Sequence, residues 1–77
     1  MFISIGFGNF VSHEKIVSIL SADSAPAKRL VKRAKEDNKL IDGTCGRKTQ
    51  SILVMDSDHV VLSALDAEII SSKSEMK

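Results

Sequence analysis

The chain predicts an α+β fold: a small antiparallel β-sheet packed by one main amphipathic helix, plus a short C-terminal helical turn. Three observations carry this. Residues 2–5, 10–12, 15–20, 51–55 and 59–63 are short runs rich in β-branched or aromatic residues, and turn residues punctuate them. Between the third and fourth runs the apolar spacing changes from strand-like to helical. At 77 residues the chain is one domain, with a core too small to be generously stable without a partner.

Phe2-Ile3-Ser4-Ile5 reads as a strand stopped by Gly6-Phe7-Gly8-Asn9, and Phe10-Val11-Ser12 follows at once. The glycine pair lacks the third glycine and following helix of a dinucleotide-binding loop, so it is strand punctuation. Phe2 and Phe10 are expected in the core. A third strand over residues 15–20 ends at Ser21-Ala22-Asp23.

Ser24 is placed to cap a helix, and Pro26 falls in the first turn, where its missing N–H is harmless. The helix is expected to run to about Lys39. Ala27, Leu30, Val31, Ala34 and Asn38 recur along one face, while Lys28, Arg29, Lys32, Arg33, Lys35, Glu36 and Lys39 fill the rest. Residues 51–55 and 59–63 flank Asp56-Ser57-Asp58 and predict an antiparallel hairpin. Asp66 can cap a short helical turn over residues 67–70. Residues 1–70 then form a single domain, and residues 71–77 a flexible polar tail.

Charge is unevenly spread. The formal net charge is +1, yet residues 15–48 carry +5, against −1 before them and −3 after. The lone Cys45 excludes an internal disulfide and a structural zinc site and fits a reducing cytoplasm. No charged leader and no apolar stretch of membrane-spanning length is evident, so a soluble protein with no membrane partner is expected.

Leu40-Ile41 enters a glycine-hinged turn, Gly43-Thr44-Cys45-Gly46, that delivers Arg47-Lys48 just before the fourth strand-like run. A guanidinium forks onto phosphate oxygens or a guanine edge, whereas an ammonium acts as a point charge. Composition alone leaves phosphate binding and a solvated loop tip both open. The basic helix face reads better as an ordinarily solvated face, which Glu36 and Asp37 dilute near its end. Asp56-Ser57-Asp58-His59 could hold a divalent metal but reads better as turn chemistry. Cys45 with His13 or His59 lacks an orienting third group, so no enzyme is expected and no cofactor is called for. Few aromatics are available for stacking, which favours duplex over single-stranded nucleic acid.

Several strings in order resemble the RemA family of bacterial extracellular matrix regulatory proteins. These are Ile5-Gly6-Phe7-Gly8-Asn9 with Val11-Ser12, Ser24-Ala25-Pro26 with Lys28-Arg29, Leu40-Ile41-Asp42, Thr44, Gly46-Arg47, Val54-Met55-Asp56-Ser57-Asp58-His59, and Leu62-Ser63. The resemblance implies a small α+β protomer in a homo-oligomeric ring, heptameric or octameric. It also implies a cytoplasmic, nucleoid-associated protein that binds double-stranded DNA and activates transcription of biofilm matrix genes. Family DNA contacts carry over to Lys15, Arg47 and Lys48; Lys28 and Arg29, on the basic helix, are candidates for additional phosphate contacts. The position of Pro26 is associated with ring assembly. Lys15 and Lys48 stand where the family has arginine, which keeps the charge and loses the planar fork. Gly43 and Cys45 replace an alanine and a tyrosine common in that turn, and Gln50 replaces a basic residue. The rival reading is a structural or protein-interaction module whose basic helix binds an acidic partner. A third is a single-stranded RNA binder that depends on an exposed Phe7.

Overall fold

The computed structural model describes residues 1–75. Its order is β1 (Phe2–Gly6), β2 (Asn9–Ser12), a single 3₁₀ turn (His13–Lys15), β3 (Ile16–Ser21), α1 (Ala25–Glu36), β4 (Leu40–Asp42), β5 (Ser51–Met55), β6 (Val60–Ser63) and α2 (Ala67–Glu75). The α+β class holds. The strands divide between two sheets, an antiparallel β1–β2 ribbon and a four-stranded sheet in the order β3-β5-β6-β4. In the larger sheet β4 runs parallel to β6, and the other two pairs are antiparallel.

Alternation along β5 and β6 explains the layering, because successive side chains leave a strand on opposite faces. Ile52 and Val60 point to one face and pack with Ala27 and Ala34 of α1, joined by Leu20, Leu30, Val31, Leu40 and Leu62. Leu53 and Val61 point to the other face, where Ile3, Ile5 and Val11 of the ribbon and Ile70 of α2 close over them. The two central strands are therefore covered on both sides, which is why their sequences are nearly continuous apolar runs.

Ser24 Oγ accepts the Ala27 N–H at 3.3 Å, and Pro26 lies in the first turn as expected. The helix stops about three residues before Lys39. Asn38 takes φ 58°, the Lys39 N–H donates to the Ala34 carbonyl at 2.8 Å and the Asn38 N–H to the Lys35 carbonyl at 3.4 Å. These bonds form a Schellman closure with asparagine in the left-handed position, so Asn38 ends the helix instead of extending its apolar stripe.

Three further expectations are corrected. Lys15 belongs to the 3₁₀ turn and His59 to the β5–β6 turn, so β3 and β6 each begin one residue later than the composition implied. Phe2 and Phe10 are 73% and 62% exposed. Ile3 and Val11 pair across the ribbon facing the core, so Phe2 and Phe10, one position away, face outward. The C-terminal helix continues past Ile70 to Glu75, through most of the segment expected to fray, and Lys73 Nζ donates to the Ser4 carbonyl at 3.1 Å. Met76 and Lys77 lie outside the described residues.

Two buried serines stitch the layers together. Ser63 Oγ donates to the Ile5 carbonyl at 2.9 Å and accepts the Leu65 N–H at 3.0 Å, while Ser51 Oγ donates to the Leu65 carbonyl at 2.8 Å. Both serines are fully buried. Ser63→Ala leaves a carbonyl and an amide without their partner, and urea unfolding should show a loss of about 1–3 kcal/mol. Ser57→Ala, at the exposed β5–β6 turn, should stay within about 0.5 kcal/mol of wild type in the same assay.

Candidate nucleic-acid interface

β4 and β5 are consecutive in sequence, but β6 lies between them in the sheet, so residues 43–50 must cross the C-terminal end of β6. That crossover carries Arg47 and Lys48. The Gly43 N–H donates to the Leu62 carbonyl at 2.9 Å, and the Gln50 N–H to the Ser63 carbonyl at 2.8 Å. The Gln50 carbonyl in turn accepts the Ala22 N–H at 3.1 Å. Both ends of the loop are thus fastened to the last residues of the central strand.

Inside the loop, Asp42 Oδ1 accepts the Thr44 N–H at 2.9 Å and the Thr44 hydroxyl at 2.6 Å. Thr44 is buried, and its carbonyl accepts the Arg47 N–H at 3.0 Å. Cys45 at φ 53° and Gly46 at φ 81° reverse the chain so that Arg47 and Lys48 emerge exposed. Gly43 serves close approach and not a positive φ: a β-carbon there would lie 3.0 Å from both Ile5 Cδ1 and the Leu62 oxygen, so both would have to give by a few tenths of an ångström.

The β1–β2 tip leans on the same loop. Asn9 Nδ2 donates to the Gly43 carbonyl at 3.2 Å, and the Arg47 guanidinium carbon stands 5.5 Å from the centre of the Phe7 ring. The sequence does not connect Phe7 with Arg47, 40 positions apart. The available signal was the aromatic residue between two glycines, where no strand interior exists to hold it.

Lys48 and Lys28 line one cleft of about 360 Å³ between the start of α1 and the crossover, floored by Val31, Ile52 and Leu62. Asp23 is on the same rim. Arg29, next to Lys28, and Pro26, in the first helical turn, are exposed. Lys15 lies elsewhere. Ile16 pairs with Met55 and Ser21 with Ser51, so Lys15 and the Arg47-Lys48 pair are at opposite ends of β5. Five residues of strand separate them, roughly 17 Å. Lys15 Nζ is 3.7 Å from Asp56 Oδ2, an exposed pair of small energetic weight. Neighbouring Glu14 is held by the Met1 ammonium at 2.8 Å, and that hydrogen bond is the main reason its carboxyl is lowered to about 2.

The Asp56-Ser57-Asp58 segment makes the hairpin turn. The Asp58 N–H donates to the Met55 carbonyl at 3.0 Å, and Ser57 Oγ meets His59 Nδ1 at 2.7 Å. Among the described residues, no three His, Cys, Asp or Glu side chains stand close enough to hold a metal, and no helix is long and apolar enough to cross a membrane.

Comparison with known proteins identifies the class first. The chain is 56% identical over 73 residues to a "putative regulatory protein" of Dictyoglomus turgidum, covering 95% of this chain and 86% of that one. It is 49% identical over 76 residues to one of Carboxydothermus hydrogenoformans, covering 99% and 87%. It is also 49% identical over 72 residues to one of a Geobacillus species, covering 94% and 83%. These names describe regulation and not catalysis. The family model for RemA-like proteins, described as extracellular matrix regulatory protein A-like, matches residues 2–73, and the chain belongs to that family.

The Asp42 carboxyl is held below its ordinary value of 3.8, first by the Thr44 hydroxyl and then by the Thr44 amide. A lowered folded-state value means its stabilising contribution is complete above 3.8 and fades as pH falls through the folded value. Chemical unfolding of wild type and Asp42→Ala should therefore give a constant stability difference near neutrality. That difference should shrink as the pH is taken below 3.8.

Proposed function

We propose that this regulatory protein is a ring-forming, duplex-DNA-binding regulator that grips the DNA backbone through Arg47, Lys48 and Lys15. The observation that carries the reading is the crossover: two adjacent exposed cations on a loop bonded at both ends to the central strand. A charge held on a rigid support loses little freedom when it meets a phosphate. Lys28, which shares a cleft with Lys48, and Arg29 add further phosphate contacts along the helix.

The separation of Lys15 from the loop pair supports the ring. One protomer presents its cations at two distant points, too few at either for useful affinity. A closed ring repeats both points around its rim and multiplies a weak grip through effective concentration. Pro26, exposed at the start of α1, contributes to assembly. The outward Phe2 and Phe10 supply apolar surface of the kind that a partner covers. DNA bent along such a rim is selected largely by its deformability. The protein acts in the cytoplasm, associated with the nucleoid, as an activator of matrix genes.

The exposed Phe2, Phe7 and Phe10 favour a second reading, single-stranded nucleic acid stacked on aromatic rings. Anisotropy of labelled duplex and single strands across a salt series, with assembly mass followed in parallel, separates the readings. Wild type should bind duplex more tightly than single strands, with affinity falling steeply as salt rises. Arg47→Ala/Lys48→Ala should keep the assembly mass and flatten the log–log salt slope by about one for each phosphate no longer neutralised. Lys15→Ala should flatten it as well, with the mass unchanged. Preference for single strands would favour stacking, and no nucleic-acid binding at low salt would move the search to acidic protein partners.

A further inference from the structure

The β1–β2 ribbon turns through Phe7 and Gly8, between the paired residues Gly6 and Asn9. Both central residues have positive φ, 56° at Phe7 and 77° at Gly8. That is the two-residue hairpin loop whose first position belongs by local energetics to Asn, Asp or Gly. A bulky aromatic is poorly suited to it, because the β-carbon crowds the backbone at positive φ and Phe has no short polar side chain to hydrogen-bond locally in return, as Asn and Asp do. The ring gains little burial in return, being 51% exposed. What its face does meet is the Arg47 guanidinium, 5.5 Å from the ring centre. Asn9, two residues on, ties the same turn to the Gly43 carbonyl at 3.2 Å and so fixes the ribbon tip against the cationic loop.

From these facts we infer that Phe7 is a positioning residue for Arg47: its ring holds the guanidinium so that the charge is presented in one direction. This rests on the reading of Arg47 as a DNA-gripping residue and adds to it the group that orients that charge. Arginine has a long, rotamer-rich stem, and an exposed one loses that freedom when it grips a phosphate. A ring face against the guanidinium removes part of the freedom beforehand, through the attraction of a cation to the aromatic quadrupole. The unfavourable turn residue is explained by that service at a functional site, where local strain tends to be kept.

Phe7→Asn is the decisive variant, because asparagine suits the turn better and the fold should survive. Its melting temperature is expected at or above that of wild type. Duplex affinity should fall by about two- to five-fold per engaged loop, the size of an exposed cation–π interaction. Phe7→Tyr, which keeps the ring face, should retain wild-type affinity. In an Arg47→Ala background Phe7→Asn should have no further effect on binding. In NMR spectra of the protein without DNA, the Arg47 side-chain proton resonances should move on Phe7→Asn, since the ring current is gone, and stay near wild type in Phe7→Tyr.

An equal loss of affinity from Phe7→Asn with and without Arg47 would overturn the inference, because the ring would then touch DNA itself. Unmoved Arg47 resonances would overturn it as well. If wild type fails to bind duplex while the resonances shift as expected, the DNA reading falls and the Phe7–Arg47 pairing stands, so the two failures are told apart.

Discussion

The placement of β6 between β4 and β5 is the constraint from which the rest of this molecule follows. A direct β4–β5 hairpin would have needed only a tight turn. With another strand between them, the chain must climb over the end of β6 before it can pair again. The path brings Gly43 so near to Ile5 and Leu62 that no β-carbon fits comfortably, and it presents amides to the last two carbonyls of β6. Arg47 and Lys48 stand at the top of that climb. The ribbon tip reaches the same spot from the other side through Asn9 and Phe7.

Coverage of the central strands on both faces is the second consequence. α1 takes one side with small residues, Ala27 and Ala34, which let the helix approach the sheet closely. The ribbon and α2 share the other side, and a two-stranded ribbon would not be stable alone in water. It persists here because Ile3, Ile5 and Val11 are inserted against Leu53, Val61 and Ile70, and because Ser63 bonds to its backbone. In so small a chain these few interactions decide whether the layers stay together.

Much of the fold was legible from residue pattern. The three strands before the helix, the Ser24 cap with Pro26 behind it, and the hairpin around Asp56-Ser57-Asp58 are local features, set by turn chemistry and spacing within a few residues. What depended on long-range pairing was not legible. The sheet order, the parallel β4–β6 pair and the division into two sheets leave no local mark. Asn38 is ambiguous for a physical reason: it falls on the helical stripe by spacing and suits the left-handed closing position by chemistry, and the second use wins. Phe2 and Phe10 misled because hydrophobic character says a residue prefers burial, while the ribbon's alternation decides which face it occupies. The loop cations were visible as a motif. Their distance from Lys15 was not, since it follows from the β3–β5 register. The helix past Ile70 has weak local signals, and its hold on the ribbon comes through Ile70 and Lys73.

The fastening of the crossover to Leu62 and Ser63 gives the cationic loop the stability of the sheet itself. Ordinary surface loops open on their own, at a small fraction of the free energy of global unfolding. Here the amides of Gly43 and Gln50 are bonded to the central strand, so releasing them means disturbing β6, whose residues lie at the heart of both hydrophobic clusters. The two ends of the loop thus share the stability of the sheet, and the Gly43 and Gln50 amides are more protected than those at its exposed tip. Destabilisation of β6 therefore weakens the footing of Arg47 and Lys48 together with the core.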